Sequence, residues 1–333
     1  MPGPECVEVE FLVKISRLSP LILGLGLLAA CSESTEPVAP APTPADAEQT
    51  ATPDPVYRLS LPETFDCLRE AGGVAIAAHR GGPYPGFPEN AIETMQYGYD
   101  RGVRVFEIDI AESQDGVLFL MHDRTLTRTT TGDGFVAEWD WADIEELRLV
   151  DNEGSRTGFS IPSLDDALAW AVEYNAIVEL DKKPTTSYSN IIEAVRNAGA
   201  ENNVILISYN DDQAEEIARI APDLMMTASA FGERDIINLL DRGVVKDRLI
   251  AWTGTRDPDF AAWDRVREEG VEAAFGTLGR PGERLDDEFL ADGNGSEYQA
   301  LADAGLTLIA TDAPLEVAEA IDGDEIASEK CGL

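Results

Sequence analysis

The sequence predicts an α/β protein built as a single (β/α)8 barrel with a β-hairpin excursion after its second strand. Three observations predict it. From Val74 onward, apolar strand-like runs alternate with longer amphipathic segments, the pattern of βα units feeding a parallel sheet. Nine such runs occur, at 74–78, 104–111, 117–121, 176–182, 204–208, 224–229, 249–252, 271–276 and 307–310. Only Glu112 to Gly116 separate the second from the third, with an Asp115-Gly116 turn signal, whereas a parallel neighbour needs a crossover of about a dozen residues. The third run therefore folds back as a hairpin. Eight strands remain, the number that closes a barrel without an exposed edge.

In the second run, Val105, Glu107, Asp109 and Ala111 share one face while Phe106, Ile108 and Ile110 share the other. A barrel wall packs the apolar set under its helices and turns the acids to the axis. The fourth run repeats the pattern, placing Glu179, Asp181 and Lys183 on one face. Three or more converging acids repel one another unless they hold a cation or are protonated, and an all-oxygen donor set favours Ca²⁺ or Mg²⁺ over zinc.

The chain has two histidines, and each ends an apolar run beside a charged residue: His79-Arg80 and His122-Asp123. Both fall at the C-terminal ends of strands, where the loops of such barrels build sites. Two imidazoles for proton transfer and paired carboxylates for a hard cation are the minimum kit for metal-assisted cleavage of a phosphate ester. Arg80 offers a planar fork and Lys183 a point charge for the phosphate oxygens.

With 25 Lys and Arg against 63 Asp and Glu, the formal charge is -38, which repels nucleic acid and excludes it as a partner. The N-terminus reads as an export signal: Lys14 and Arg17 precede an apolar stretch at 18–30, too short to span a bilayer. It ends in Leu28-Ala29-Ala30-Cys31, which resembles a bacterial lipoprotein signal with Cys31 as the lipidated residue. Glu5, Glu8 and Glu10 lie where such a signal is normally basic, so the translation start is expected near Val13. Residues 31–56, rich in Pro, Ala, Thr and Glu, lack the apolar surface to offset ordering and read as a disordered tether. The catalytic domain is expected over 57–322 and a tail over 323–333. Export makes a disulfide between Cys67 and Cys331 the expected pairing, because the ends of one domain often lie close together.

His79-Arg80-Gly81, Pro88-Glu89-Asn90, Glu107-Ile108-Asp109, Asp115-Gly116-Val117, His122-Asp123, Arg128-Thr129-Thr130 and Gly132, in this order, strongly resemble the glycerophosphodiester phosphodiesterase family. Asp181-Lys182-Lys183, Ser208-Tyr209 and Thr311-Asp312-Ala313-Pro314 extend the resemblance to about residue 314. It implies a TIM barrel, His79 and His122 as the general acid/base pair, and Glu107, Asp109 and Asp181 as metal ligands, with Glu179 the alternative third acid. Arg80 and Lys183 would hold the phosphate, Glu89 and Asn90 would shape the loop over it, and Trp252 would support the headgroup side. The implied substrate is a small glycerophosphodiester, cleaved to sn-glycerol 3-phosphate and an alcohol by a lipid-anchored enzyme facing the periplasm or cell exterior. A lysophospholipid substrate is the enzyme alternative, favoured by an apolar groove at the rim. A surface lipoprotein that only binds would show a degraded site.

Overall fold

The computed structural model describes residues 58–321 and 324–333, all within the unit Val56–Leu333. Nine strands are present among them: β1 (Ala75–Ala78), β2 (Val105–Glu112), β3 (Leu118–Leu120), β4 (Ile177–Lys182), β5 (Val204–Ile207), β6 (Met225–Ser229), β7 (Leu249–Trp252), β8 (Glu272–Gly276) and β9 (Leu308–Thr311). Eight pair in parallel in the order β1-β9-β8-β7-β6-β5-β4-β2, and β1 pairs with β2 to close the barrel. The ninth, β3, runs antiparallel to β2 through Ile110↔Leu120 and Glu112↔Leu118, which is the expected hairpin. Helices follow the strands around the outside, as in a TIM barrel.

The alternation in the sequence sorts residues as the barrel requires. Phe106, Ile108 and Ile110 of β2 pack outward with Leu164, Leu168 and Trp170 of the helix preceding β4. Val105 turns inward with Ala75, Ala77, Ile177, Ile205 and Ile250 at the bottom of the barrel. That inner cluster continues into Leu61, Phe65 and Leu68 of an N-terminal helix, Leu61–Ala71, which plugs the N-terminal end of the barrel. Ser60 and Glu63 form its capping box, and Gly72 ends it with a left-handed φ of 74°.

Residues past 322, expected as a tail, include a helix at Asp324–Cys331 whose Ala327 and Cys331 are buried in the same inner cluster. Cys331 is disulfide-bonded to Cys67 across 264 residues of chain. The excursion after β3 forms its own core from Phe119, Met121, Leu126, Val136, Ile144 and Leu149. This core holds the segment carrying His122 and Arg128. The expected signal peptide, Cys31 and the expected tether lie outside the described residues.

Candidate active site

The carboxylates of the site are fixed by strand register. Glu107 pairs with Glu179 and Asp109 with Asp181 across β2 and β4, so the acids stand in two layers along the barrel axis. Glu107, Asp109 and Asp181 each offer an oxygen within 4.8 Å of the others, and all three are buried. Lys183 Nζ sits against two of them, 2.5 Å from Asp109 Oδ1 and 2.6 Å from Asp181 Oδ2. Tyr209, at the end of β5, donates its hydroxyl to Asp181 Oδ2 at 2.6 Å.

Two observations fit this cluster to a divalent cation. Asp181 Oδ1 is buried without a hydrogen-bond partner among the described residues, an acceptor left open toward its neighbours. Burial first, and then repulsion from Asp109 and Asp181, push Glu107 well above the usual carboxylate range. A bound cation removes both penalties. Burial also opposes the charge on Asp109, but Lys183, His122 and Arg80 outweigh it and hold Asp109 below its ordinary value. Glu179, the alternative third acid, pairs with Glu107 in register but is not one of the three converging acids, and burial pushes it up to about 7.

The His79-Arg80-Gly81 segment is a tight turn at the end of β1, and Arg80 adopts a left-handed φ of 54°. A non-glycine residue there stores about 1–3 kcal/mol of strain, so the surroundings must hold it. They do: Arg80 N–H donates to Glu107 Oε2 at 2.7 Å, and its carbonyl accepts from Asn90 N–H at 2.8 Å. The turn points both His79 and Arg80 into the barrel mouth. Arg80 Nη1 meets Glu89 at 3.2 Å, while its buried Nε has no hydrogen-bond partner among the described residues.

Each histidine is oriented through Nδ1 by a carboxylate. His79 Nδ1 lies 2.7 Å from Asp312 Oδ1, and His122 Nδ1 lies 2.7 Å from Asp123 Oδ1. Asp312, at the end of β9, accepts from Gly279 N–H at 3.0 Å and Arg284 Nη1 at 2.9 Å, and donates its own N–H to Asp286 at 2.8 Å. Burial raises its pKa, but the bond to His79 and the imidazole charge prevail and hold it down at about 2. Asp123 is locked by Arg128, whose Nε reaches Oδ2 at 2.7 Å. The same guanidinium grips Glu89 at 2.7 and 2.9 Å, so Glu89 is shared by two arginines. His79, His122, Arg80 and Arg128 all line one open cavity of about 930 Å³.

Every residue expected at the site is therefore at this end of the barrel. Lys183 differs in its partners: it neutralises two carboxylates here instead of standing free for a phosphate. Trp252, at the end of β7, lines a second cavity beside the acids. Asp312, Arg128, Tyr209 and Arg284 carry roles that the sequence alone does not assign. Three of them sit inside motifs that were visible, in Thr311-Asp312-Ala313-Pro314, Arg128-Thr129-Thr130 and Ser208-Tyr209, but their partners lie far away in sequence.

Fold and site together define a (β/α)8 barrel with a candidate carboxylate cation site and two oriented histidines at its C-terminal mouth. The model of the glycerophosphoryl diester phosphodiesterase family matches residues 79–232. The chain is 28% identical over 196 residues to probable glycerophosphodiester phosphodiesterase 2 of Mycobacterium tuberculosis, covering 59% of this chain and 70% of that one. It is 29% identical over 155 residues to the uncharacterized protein YqiK of Bacillus subtilis, 45% of this chain and 63% of the relative's length. The crystal structure of a glycerophosphoryl diester phosphodiesterase from Parabacteroides distasonis superposes with a TM-score of 0.67 at 26% identity, covering 79% of this chain and 92% of that one. Over residues 79–232, and across the barrel as a whole, the chain is thus similar to glycerophosphoryl diester phosphodiesterases.

Proposed function

We propose that the protein hydrolyses glycerophosphodiesters to sn-glycerol 3-phosphate and an alcohol, with Ca²⁺ or Mg²⁺ as its divalent cation. The observation that carries this reading is the pair of carboxylate-oriented histidines facing one cavity beside three converging acids. Glu107, Asp109 and Asp181 would hold the cation, which supplies Lewis-acid polarisation of the phosphate. With Nδ1 engaged on each ring, Nε2 is the atom that moves a proton. One histidine takes the proton of the attacking oxygen and the other gives a proton to the leaving alcohol; where the glycerol hydroxyl attacks, water must then open the resulting cyclic phosphate to reach glycerol 3-phosphate. Arg80, with an unengaged Nε, offers a donor to the phosphate oxygens, and Lys183 balances the charge of the acids beneath.

The open cavity is lined by Arg80, Arg128, Arg280 and Arg284, a polar rim that favours a small diester over the acyl chain of a lysophospholipid. A protein that merely binds at the cell surface would have no need for two imidazoles each fixed by a carboxylate. The deciding experiment is release of glycerol 3-phosphate from glycerophosphocholine, with chelator and then with Ca²⁺ or Mg²⁺ restored. Chelator-sensitive release is expected; no release with either cation would refute the reading.

We also propose that the protein is exported and anchored to a membrane through lipidated Cys31, facing the periplasm or the cell exterior. Leu28-Ala29-Ala30-Cys31 after the apolar stretch supports this. Among the described residues, no helix is long and apolar enough to cross a membrane. Incorporation of labelled palmitate that disappears in Cys31→Ser is the expected result, and unlabelled wild-type protein would refute the anchor.

A further inference from the structure

Beside the three carboxylates lies a second cavity, of about 300 Å³ and more enclosed than the arginine-lined mouth. His79, Glu107 and Asp181 line it on one side. Glu179, Thr227, Ser229, Trp252, Thr255 and Leu278 line it too. Glu179 is 3% exposed and makes no hydrogen bond or ion pair among the described residues. A buried carboxyl without a partner is costly to fold, and such a group persists where a ligand completes it. Glu179 is not part of the cation cluster, although it pairs with Glu107 across β2 and β4.

The rest of the lining mixes hydroxyls with apolar surface, as a small polyol requires. Thr227, Ser229 and Thr255 share the cavity with the carboxyl, and Trp252 and Leu278 supply an apolar wall against which C–H groups pack. Gly276 makes room for that wall, since a Cβ there would stand 2.9 Å from both the Trp252 ring and the Thr255 methyl. The two cavities meet at His79 and so flank the place where a phosphodiester would react. An open mouth accepts varied headgroups, whereas a narrower pocket with one unpartnered carboxyl among apolar walls selects the arm that all glycerophosphodiesters share.

We propose that Glu179 is a specificity residue for the glycerol arm, accepting a hydrogen bond from its terminal hydroxyl inside the enclosed cavity. This rests on the glycerophosphodiesterase reading above. The same pocket gives no partner to a substrate that lacks the hydroxyl, because the carboxyl would again be left alone. A site built around a substrate hydroxyl discriminates strongly against its deoxy analogue.

The test is steady-state kinetics of the full chain, with cation supplied, on glycerophosphocholine, its 1-deoxy analogue and glycerophosphoglycerol. The 1-deoxy compound keeps the hydroxyl next to the ester, so the chemistry is preserved. Wild type is expected to prefer the full glycerol arm by about 10–100-fold in kcat/KM. Glu179→Leu is expected to collapse that ratio to within about 3-fold through a raised KM for the full substrate, with 1-deoxy turnover kept. Its thermal midpoint should hold or rise, as an unpartnered acid is replaced by an apolar group. Should Glu179→Leu not fold, Glu179→Gln decides, with an expected fall in the ratio of about tenfold from loss of the charge-assisted bond.

An unchanged ratio, or equal losses on both arms, overturns the inference while leaving the diesterase reading intact. A loss confined to glycerophosphocholine and absent with glycerophosphoglycerol overturns it in favour of an ammonium site. Wild-type protein inactive on all three substrates overturns the diesterase reading itself, and with it this inference. Calorimetric affinity for glycerol 3-phosphate against 1-deoxyglycerol 3-phosphate provides the same discrimination without turnover.

Discussion

Asn90 clamps Asp109 at two points: its Nδ2 donates to Asp109 Oδ2 at 2.7 Å, and its Oδ1 accepts the Asp109 backbone N–H at 2.9 Å. The clamp leaves Oδ1 of Asp109 turned toward Lys183 and the other acids. Asn90 holds this pose with a left-handed φ of 58°, a conformation that asparagine tolerates and most residues do not. Asn90→Gly keeps the backbone and deletes the clamp. Removing such support of a metal ligand typically weakens metal affinity about 10–100-fold. Isothermal titration of Asn90→Gly with Ca²⁺ or Mg²⁺ is expected to show that loss with a small change in thermal midpoint. Wild-type affinity in this variant would show that the clamp does not position a ligand.

The Asp312 carboxylate fixes which nitrogen of His79 faces the reaction. Asp312→Asn preserves volume and presents the ring with a group able to donate, which favours the opposite tautomer. The expected result is a fall in kcat of about 10²-fold or more, comparable to that of His79→Ala or His122→Ala. Cation affinity should stay within a few-fold of wild type, since Asp312 touches none of the three acids. Full turnover in Asp312→Asn would remove it from the mechanism.

Asp312 also predicts how acid unfolds the protein. Its folded pKa, about 2, is depressed below the ordinary carboxylate value. A depressed carboxylate contributes stability that is fully present above its unfolded pKa and is lost as pH falls toward its folded one, here a window from about 4 down to about 2. The contribution is about 2 kcal/mol. Thermal midpoints measured across that window should fall less steeply in Asp312→Asn than in wild type. Parallel curves would mean that Asp312 binds its proton equally in both states.

The Cys67–Cys331 bond ties the N-terminal plug helix to the C-terminal helix and closes 264 residues of chain. Loop-closure entropy for a span of this size makes such a bond worth about 5–6 kcal/mol. In a domain this large, that corresponds to a fall in Tm of roughly 10 °C on replacing both cysteines by alanine. The barrel mouth lies at the other end, so kcat at 25 °C should be unchanged. A double variant as stable as wild type would show that the plug is held by Phe65 and its neighbours alone.

The barrel and much of its site were legible because strand periodicity is local. The alternation 105–111 assigns Glu107 and Asp109 to the axis without knowledge of any partner, and the five-residue gap before 117 forces the hairpin. Boundaries moved by about one residue where apolar side chains continue into a turn, as at Val74 and Leu224. What the sequence withheld was pairing. Nothing local says that Asp312 belongs to His79, 233 positions away, or that Tyr209 reaches Asp181. Both Glu179 and Asp181 lie on one face of β4; the spacing of Asp181 to Lys183 already favours Asp181, and it is Asp181 whose oxygen converges with those of Glu107 and Asp109.

Arg128 joins the two halves of the mouth, and its substitution separates charge from geometry. One guanidinium edge binds Asp123, which holds His122, and the other binds Glu89, which also meets Arg80. A lysine carries the same charge but has no fork with which to grip two carboxylates at once. Arg128→Lys is therefore expected to lower kcat/KM by about 10–100-fold, as His122 loses its fixed orientation. Asp123→Asn breaks the same chain one link further on, so the double variant should be little worse than either single one. Groups acting through one network are non-additive in this way, whereas independent groups would multiply their losses. Multiplying losses would place Arg128 in direct contact with the substrate instead of behind His122.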